Sequence, residues 1–137
     1  GSAQPRILVA GLNPHAGENG LLGEEEFFMK AAVSKFNKNS QQIVGPLPSD
    51  TAFTPQNIDK FSVFVACYHD QGLIPFKMLS FSDGVNLSYG MKRIRTSVDH
   101  GTGVDLIGTG KADINSFINA YNVAVRLTTA RDGANLN

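Results

Sequence analysis

The chain has 137 residues, 42% of them hydrophobic and 18% charged, and twelve basic side chains balance twelve acidic ones. That supports a packed core in one domain, or in part of a larger one, and excludes wholesale disorder. A neutral chain without a Lys/Arg block carries no electrostatic footprint for nucleic acid. No apolar run reaches the roughly 18 to 20 residues of a membrane span, and no basic start with an apolar middle marks a signal peptide.

Residues 1–5, GSAQP, read as a cloning scar, and the chain reads as a piece of a longer protein. RILVAGL (6–12) has the continuous apolar run of a short strand buried on both faces. NPHAGENGLLG follows as a loop punctuated by glycines. EEEFFMKAAVSKFNK reads as a helix with Phe28, Ala32 and Phe36 on one stripe and Met29 and Val33 beside it. Its three leading glutamates face the positive end of the helix dipole.

GPLPSDTAFTP, with three prolines, reads as an irregular connection, and FSVFVACY (61–68) as a second strand. Cys67 is the single cysteine, which excludes an internal disulfide framework and fits a reducing compartment. Its place in an apolar run predicts an inert core thiol. In GLIPFKMLSF, Pro75 permits at most a helix start. GVNLSYG and IRTSV read as short strands and HGTGVDLIGTGKAD as a glycine-punctuated loop. Ile114, Phe117, Ile118, Tyr121 and Val125 recur at helical spacing and predict a terminal helix. RDGANLN (131–137) reads as a frayed tail. Strands alternating with helices point to α/β layers, with sites at the carboxyl ends of the strands.

His15 and His69 each fall just past a strand. Imidazole nitrogens suit zinc and similar divalent ions, but without a local signature such as HExxH each reads from the residues alone first as a polar surface residue. Two histidines do not complete a site, so a third ligand must come from elsewhere. Asp70 either orients His69 or joins a metal shell, or is a turn residue before Gly72. Lys77, Asn86 and Arg95, near strand ends, suit a phosphate or carboxylate clamp, or form a solvated basic edge with Lys92 and Arg93. A P-loop is excluded: Asp105 stands where its first glycine belongs, and Ala112 replaces its Ser/Thr after Lys111. A GxGxxG dinucleotide turn and a GxSxG nucleophile elbow are also absent from the sequence.

Five segments in order carry a resemblance: GLNPHAGENG, GPLPSDTAF, YHDQGLIPFK, GVNLSYG and IRTSVDHGT. Together they resemble the C-terminal part of the 4-hydroxythreonine-4-phosphate dehydrogenase family of pyridoxal phosphate synthesis, over about residues 6–125. The resemblance implies an α/β/α layered fold of the isocitrate/isopropylmalate dehydrogenase type, with residues 6–130 as the C-terminal portion of a two-domain enzyme. It implies a cytoplasmic homodimer that oxidises 4-phosphooxy-L-threonine with NAD or NADP and one divalent metal, zinc, magnesium or cobalt. The 3-oxo product then loses carbon dioxide to give 3-amino-2-oxopropyl phosphate.

By the same resemblance, His15 and His69 are metal ligands, Lys77 is catalytic and contacts substrate, and Asn86 and Arg95 contact substrate. SVDHGTGVDLIG is similar to the HGSAPDIAG loop of the related decarboxylating dehydrogenases, which places His100, Gly101, Thr102 and Asp105 at the adenosine half of the cofactor. Met91, Lys92 and Arg93 depart from the family's usual Leu-Pro-Phe, and Gly103 stands where alanine is usual. The family's N-terminal half, with a third metal histidine, is not represented, so the chain alone is expected to be inactive. The other readings are a related dehydrogenase of another phosphorylated four-carbon hydroxyacid, such as a threonate or erythronate phosphate, and a non-catalytic metal- or phosphate-binding module.

Overall fold

The structure is a computed structural model and describes residues 5–38 and 42–134. Residues 1–4 of the expected scar and 135–137 of the expected tail lie outside the described residues. The chain divides into two compact units, one ending at Pro75 and the other beginning at Phe76.

The first unit is built on a three-stranded parallel sheet. Strand β1 (Arg6–Ala10) is central, flanked by β2 (Gln42–Leu47) and β3 (Val63–Val65). Ile7 pairs with Ile43 on one side and with Val63 on the other. Parallel neighbours require crossovers. Helix α1 (Glu25–Asn37) makes the first, and α2 (Ser49–Ala52) with α3 (Pro55–Lys60) makes the second. Leu8, Ala10, Ala52 and Phe61 form the core, with Leu47, Phe53 and Phe64 packed against it. The Phe53 and Phe64 rings stack at 5.3 Å, and Phe61 meets Phe64 edge-on at 6.3 Å.

β2 corrects the expectation of an irregular connection. Gly45 and Pro46 mask the strand in the sequence, yet both belong to it. A Cβ on Gly45 would lie 2.4 Å from the Val9 carbonyl oxygen, and its φ is +137°, so only glycine lets the strands approach here. The register shifts between Leu8 and Ala10, and a proline is tolerated on such an edge. The following GPLPSDTAFTP residues supply α2 and the start of α3 rather than loop.

β3 is shorter than FSVFVACY, and it is an edge strand. Val63 and Val65 are therefore exposed. Cys67 is exposed too, with its Sγ 3.7 Å from the Ala10 carbonyl oxygen, which corrects the expected core thiol. Helix α4 (His69–Leu79) contains Pro75 in its interior, not at its start. A proline removes one donor and bends a helix, but flanking residues can carry the helix past it.

The second unit pairs β4 (Val85–Ser88) with β5 (Arg95–Val98) as an antiparallel ribbon against helix α5 (Asn115–Ala134). The Ser116 hydroxyl donates to the Gly84 carbonyl and accepts from the Asp99 N–H, while Thr96 donates to the Ala120 carbonyl at 2.9 Å. A short 3-10 turn, Val104–Leu106, interrupts the expected loop. α5 runs four residues into the segment expected as a tail.

Both expected apolar stripes face outward. Phe28, Ala32 and Phe36 are exposed on α1, where Glu26, Met29 and Val33 turn inward instead. Phe117, Tyr121 and Val125 are exposed on α5, which buries Ser116 and Ala120. The period of a sequence reveals an apolar face but not its partner. Small side chains let α5 approach the ribbon closely enough for Ser116 and Thr96 to bond main-chain groups.

Candidate functional site

In the first unit the carboxyl ends of all three parallel strands lead into loops, the position at which α/β sheets place their ligands. The turn after β1 carries His15, helix α2 after β2 opens with Ser49 and Asp50, and the segment after β3 carries Tyr68 and His69. A cavity of about 240 Å³ is lined by Leu12, Asn13, Pro14, His15, Ser49, Asp50 and Tyr68. His69 follows this lining directly in sequence and opens α4.

His15 sits in an unusual backbone. It begins a run of five consecutive residues, through Asn19, with left-handed φ values between 42° and 76°. Gly17 takes that region without cost and Asn19 visits it readily, whereas His15, Ala16 and Glu18 each forgo roughly 1–2 kcal/mol. Glu26 holds the turn's entrance. Its carboxylate, almost fully buried, accepts the Asn13 N–H at 2.7 Å and the Asn13 amide at 3.1 Å. Glu25 takes a further bond from the same amide at 2.6 Å. Burial pushes the Glu26 carboxyl up, but hydrogen bonds from the Asn13 N–H, its own N–H, the Asn13 side chain and the Leu12 N–H outweigh it, and its pKa falls below the ordinary 4.5. The Glu25 carboxyl is also lowered, by its own backbone N–H first and by Asn13 second.

The His15 ring Nδ1 lies 3.8 Å from Glu18 Oε1, and the side chain is exposed. The His69 Nδ1 lies 2.7 Å from Asp70 Oδ1, which leaves Nε2 pointing to solvent or a ligand. A carboxylate so placed can orient an imidazole ring. The donor chemistry fits a divalent ion, but the set is partial. Among the described residues no three His, Cys, Asp or Glu side chains cluster closely enough to hold one.

A side chain not singled out from the sequence joins the three loops. Gln71 is 7% exposed. Its amide nitrogen donates to the Gly11 carbonyl and to Ser49 Oγ, both at 2.6 Å, and its oxygen accepts the Cys67 N–H at 2.6 Å. Ser49 Oγ in turn donates to the Gly11 carbonyl at 3.1 Å. The only sequence signal for Gln71 was its place inside YHDQG.

In the second unit, Asn86 pairs with Ser97 and Ser88 with Arg95. Residues two apart on a strand share a face, so Asn86 and Arg95 lie together on one exposed face of the ribbon. Arg95 donates to Ser88 Oγ at 3.2 Å. Lys77 is engaged differently. Its ammonium lies 2.5 Å from Asp99 Oδ2, also donates to the Asp99 main-chain oxygen, and sits 5.6 Å from the centre of the Phe81 ring. Asp99 was missed in the sequence, where nothing in SVDHGT separates it from its neighbours.

His100, Gly101, Thr102 and Asp105 are all exposed. The His100 Nδ1 is 2.8 Å from the Gly101 carbonyl, and nothing lies within 4 Å of a Cβ built on Gly101. This segment offers a surface but no walls, so it does not by itself form a cofactor cradle. Lys92 and Arg93 are exposed between the two strands.

Together these features define an α/β protein with a candidate site at the carboxyl ends of its parallel strands. Residues 1–124 match the family described as "Pyridoxal phosphate biosynthetic protein PdxA", and the chain belongs to that family. A curated 4-hydroxythreonine-4-phosphate dehydrogenase from Aromatoleum aromaticum is 50% identical over 135 residues, which are 98% of this chain and 41% of the relative. The chain therefore spans about two-fifths of that relative's length. The crystal structure of a 4-hydroxythreonine-4-phosphate dehydrogenase from Klebsiella pneumoniae is similar at 47% identity and a TM-score of 0.75, over 90% of this chain and 38% of that one. A terephthalate 1,2-cis-dihydrodiol dehydrogenase from Burkholderia xenovorans is similar at 35% identity and a TM-score of 0.67, over 89% and 39%. No helix among the described residues is long and apolar enough to cross a membrane.

Proposed function

We propose that the chain is the metal- and substrate-binding portion of a dehydrogenase that oxidises 4-phosphooxy-L-threonine with NAD or NADP. The 3-oxo acid so formed loses carbon dioxide to give 3-amino-2-oxopropyl phosphate. One observation carries this reading: 50% identity to a named dehydrogenase over nearly the whole chain, in a fold that brings His15 and His69 to the carboxyl ends of adjacent strands β1 and β3. The α/β/α layering of the isocitrate dehydrogenase type and the homodimer belong to the same proposal for the full-length protein.

His15 and His69 would hold a divalent ion, zinc, magnesium or cobalt, with further ligands from outside this chain. When bound, such an ion supplies a Lewis acid that favours loss of the proton from a coordinated hydroxyl and stabilises negative charge on oxygen during decarboxylation. Asp70 keeps the His69 ring turned so that Nε2 remains available. Arg95 and Asn86, on one ribbon face, offer a planar guanidinium fork and an amide to the phosphate or carboxylate. Lys77 provides a compact charge whose present partner is Asp99; an anionic substrate competes with that carboxylate for the ammonium. His100, Gly101, Thr102 and Asp105 would meet the adenosine half of the nucleotide as a surface needing walls from elsewhere. Binding energy spent on a substrate's anionic groups can align its reacting carbon for hydride loss.

The Burkholderia relative favours a second reading. Its name shows that a similar fold serves a dehydrogenase of a dihydrodiol, so another hydroxylated substrate is the alternative. The test is NADH formation by the full-length dehydrogenase carrying this segment, with 4-phosphooxy-L-threonine and a panel of dihydrodiols and other hydroxyacids, with and without a chelator. The proposal expects fastest turnover with 4-phosphooxy-L-threonine and at least a hundredfold loss on chelation. Faster turnover of another compound in the panel replaces the substrate; turnover indifferent to chelation removes the metal.

A further inference from the structure

We infer that Asp99 is a positioning residue that holds the Lys77 ammonium in place; this rests on the reading of Lys77 as a substrate contact. Asp99 is the first residue after β5, and Lys77 lies in the last turn of α4. A lysine is a point charge on a flexible four-carbon stem, and ordering that stem at the moment of binding subtracts from affinity. A tether that orders it beforehand avoids the loss.

Asp99 binds the ammonium twice. Its main-chain oxygen accepts one hydrogen, and its Oδ2 lies 2.5 Å from Nζ. An ammonium has three hydrogens, so one stays available for a substrate oxygen. The Lys77 side chain is 30% exposed and that of Asp99 17%, so water and salt screen this pair less than an open surface pair.

Asp99 is itself fixed without using its carboxylate. Its N–H donates to Ser116 Oγ at 3.2 Å, and the Ser116 hydroxyl donates to the Gly84 carbonyl at 3.1 Å. The end of β5, the first turn of α5 and the entrance to β4 are thereby joined. Gly84 leaves room for the acid: a Cβ there would lie 3.2 Å from Asp99 Oδ2 and 2.5 Å from the Phe76 ring.

The burial of Oδ2 decides how a substrate anion and Asp99 divide the ammonium. Among the described residues no hydrogen bond to Oδ2 stands in for the ion pair with Lys77. Withdrawing the ammonium would leave a buried carboxylate oxygen unpaired, which costs far more than breaking an exposed pair. The competition therefore ends in sharing: the ammonium stays on Asp99 and turns its third hydrogen to the anion. Asp99 contributes aim rather than attraction, since its own charge repels the substrate.

The experiment is steady-state NADH formation from 4-phosphooxy-L-threonine by the full-length dehydrogenase carrying this segment. Asp99→Ala is expected to raise KM roughly tenfold, the scale of one charged hydrogen bond, with a much smaller change in kcat. Asp99→Asn keeps an acceptor oxygen and is expected to raise KM only about threefold. In a Lys77→Met background, Asp99→Ala is expected to raise KM no further, because both changes remove the same contact. A role confined to the fold would add to Lys77→Met instead. If Lys77→Met raises KM while Asp99→Ala leaves it unchanged, lowers it or adds to it fully, the positioning role is overturned and the reading of Lys77 stands. If Lys77→Met leaves KM unchanged, that reading falls and the role of Asp99 with it. Should Asp99→Ala fail to fold, Asp99→Asn decides: a rise that vanishes in the Lys77→Met background is expected, and an unchanged or lower KM overturns the claim.

Discussion

The two units order their candidate residues by different means. In the first, exposed His15 on the turn after β1 and His69 at the start of α4 stand on segments cross-bonded by the buried Glu26 and Gln71: Glu26 grips Asn13, and Gln71 grips Gly11, Ser49 and Cys67. In the second, Asn86 and Arg95 project from an exposed two-stranded ribbon, and order comes from the strand register and from Ser116 and Thr96 beneath it. The difference suits the two ligands. A metal ion demands a fixed separation of donors, whereas an anion is served by charge and hydrogen bonds over a broader range of geometry.

The contrast is sharpest in the cores. Leu8 is fully buried in the first unit, whereas Phe117 on α5 is 65% exposed. Leu8→Ala is expected to cost about 2–5 kcal/mol, the usual range for a cavity left by a buried leucine. Phe117→Ala is expected to cost less than about 0.5 kcal/mol, as at other exposed positions. Equilibrium urea unfolding of the chain measures both. Equal losses would mean that α5 buries its apolar stripe in solution and would erase the distinction between the units.

A smaller effect concerns acid. The Glu26 pKa is lowered in the folded chain, so the ionised carboxylate contributes stability that is fully present above its ordinary pKa of 4.5 and is lost as pH falls through the folded value. Glu26→Gln is expected to lower stability at neutral pH and to flatten the loss below about pH 4.5. Thermal unfolding across pH 3–7 compares the two proteins; an acid limb as steep in the variant as in the parent would place the sensitivity elsewhere.

What the sequence revealed follows the reach of its signals. RILVA, FSVFVA and the two ribbon strands were legible because continuous or β-branched apolar runs have few other uses. β2 was not, because Gly45 and Pro46 read as breakers: Gly45 is explained by the Val9 carbonyl lying against it, and Pro46 by the edge position of β2. The helix α4 was cut short on paper by Pro75, whose cost depends on neighbours the sequence does not display. Cys67 looked buried because apolar company implied a covered strand, but β3 is an edge. His15 and His69 stood out by type and position, and the resemblance gave them roles. Gln71, Glu26 and Asp99 stayed hidden, because a buried polar residue is conspicuous only once its partners in distant segments are known.

The central claim is that one ion is held by the imidazoles of His15 and His69. X-ray absorption on the cobalt-loaded full-length dehydrogenase carrying this segment tests it most directly, in the parent, His15→Ala and His69→Ala proteins. The account predicts imidazole scattering around cobalt in the parent and one imidazole fewer in each variant that still binds. A cobalt shell of oxygen alone, or one unchanged by either substitution, would contradict it.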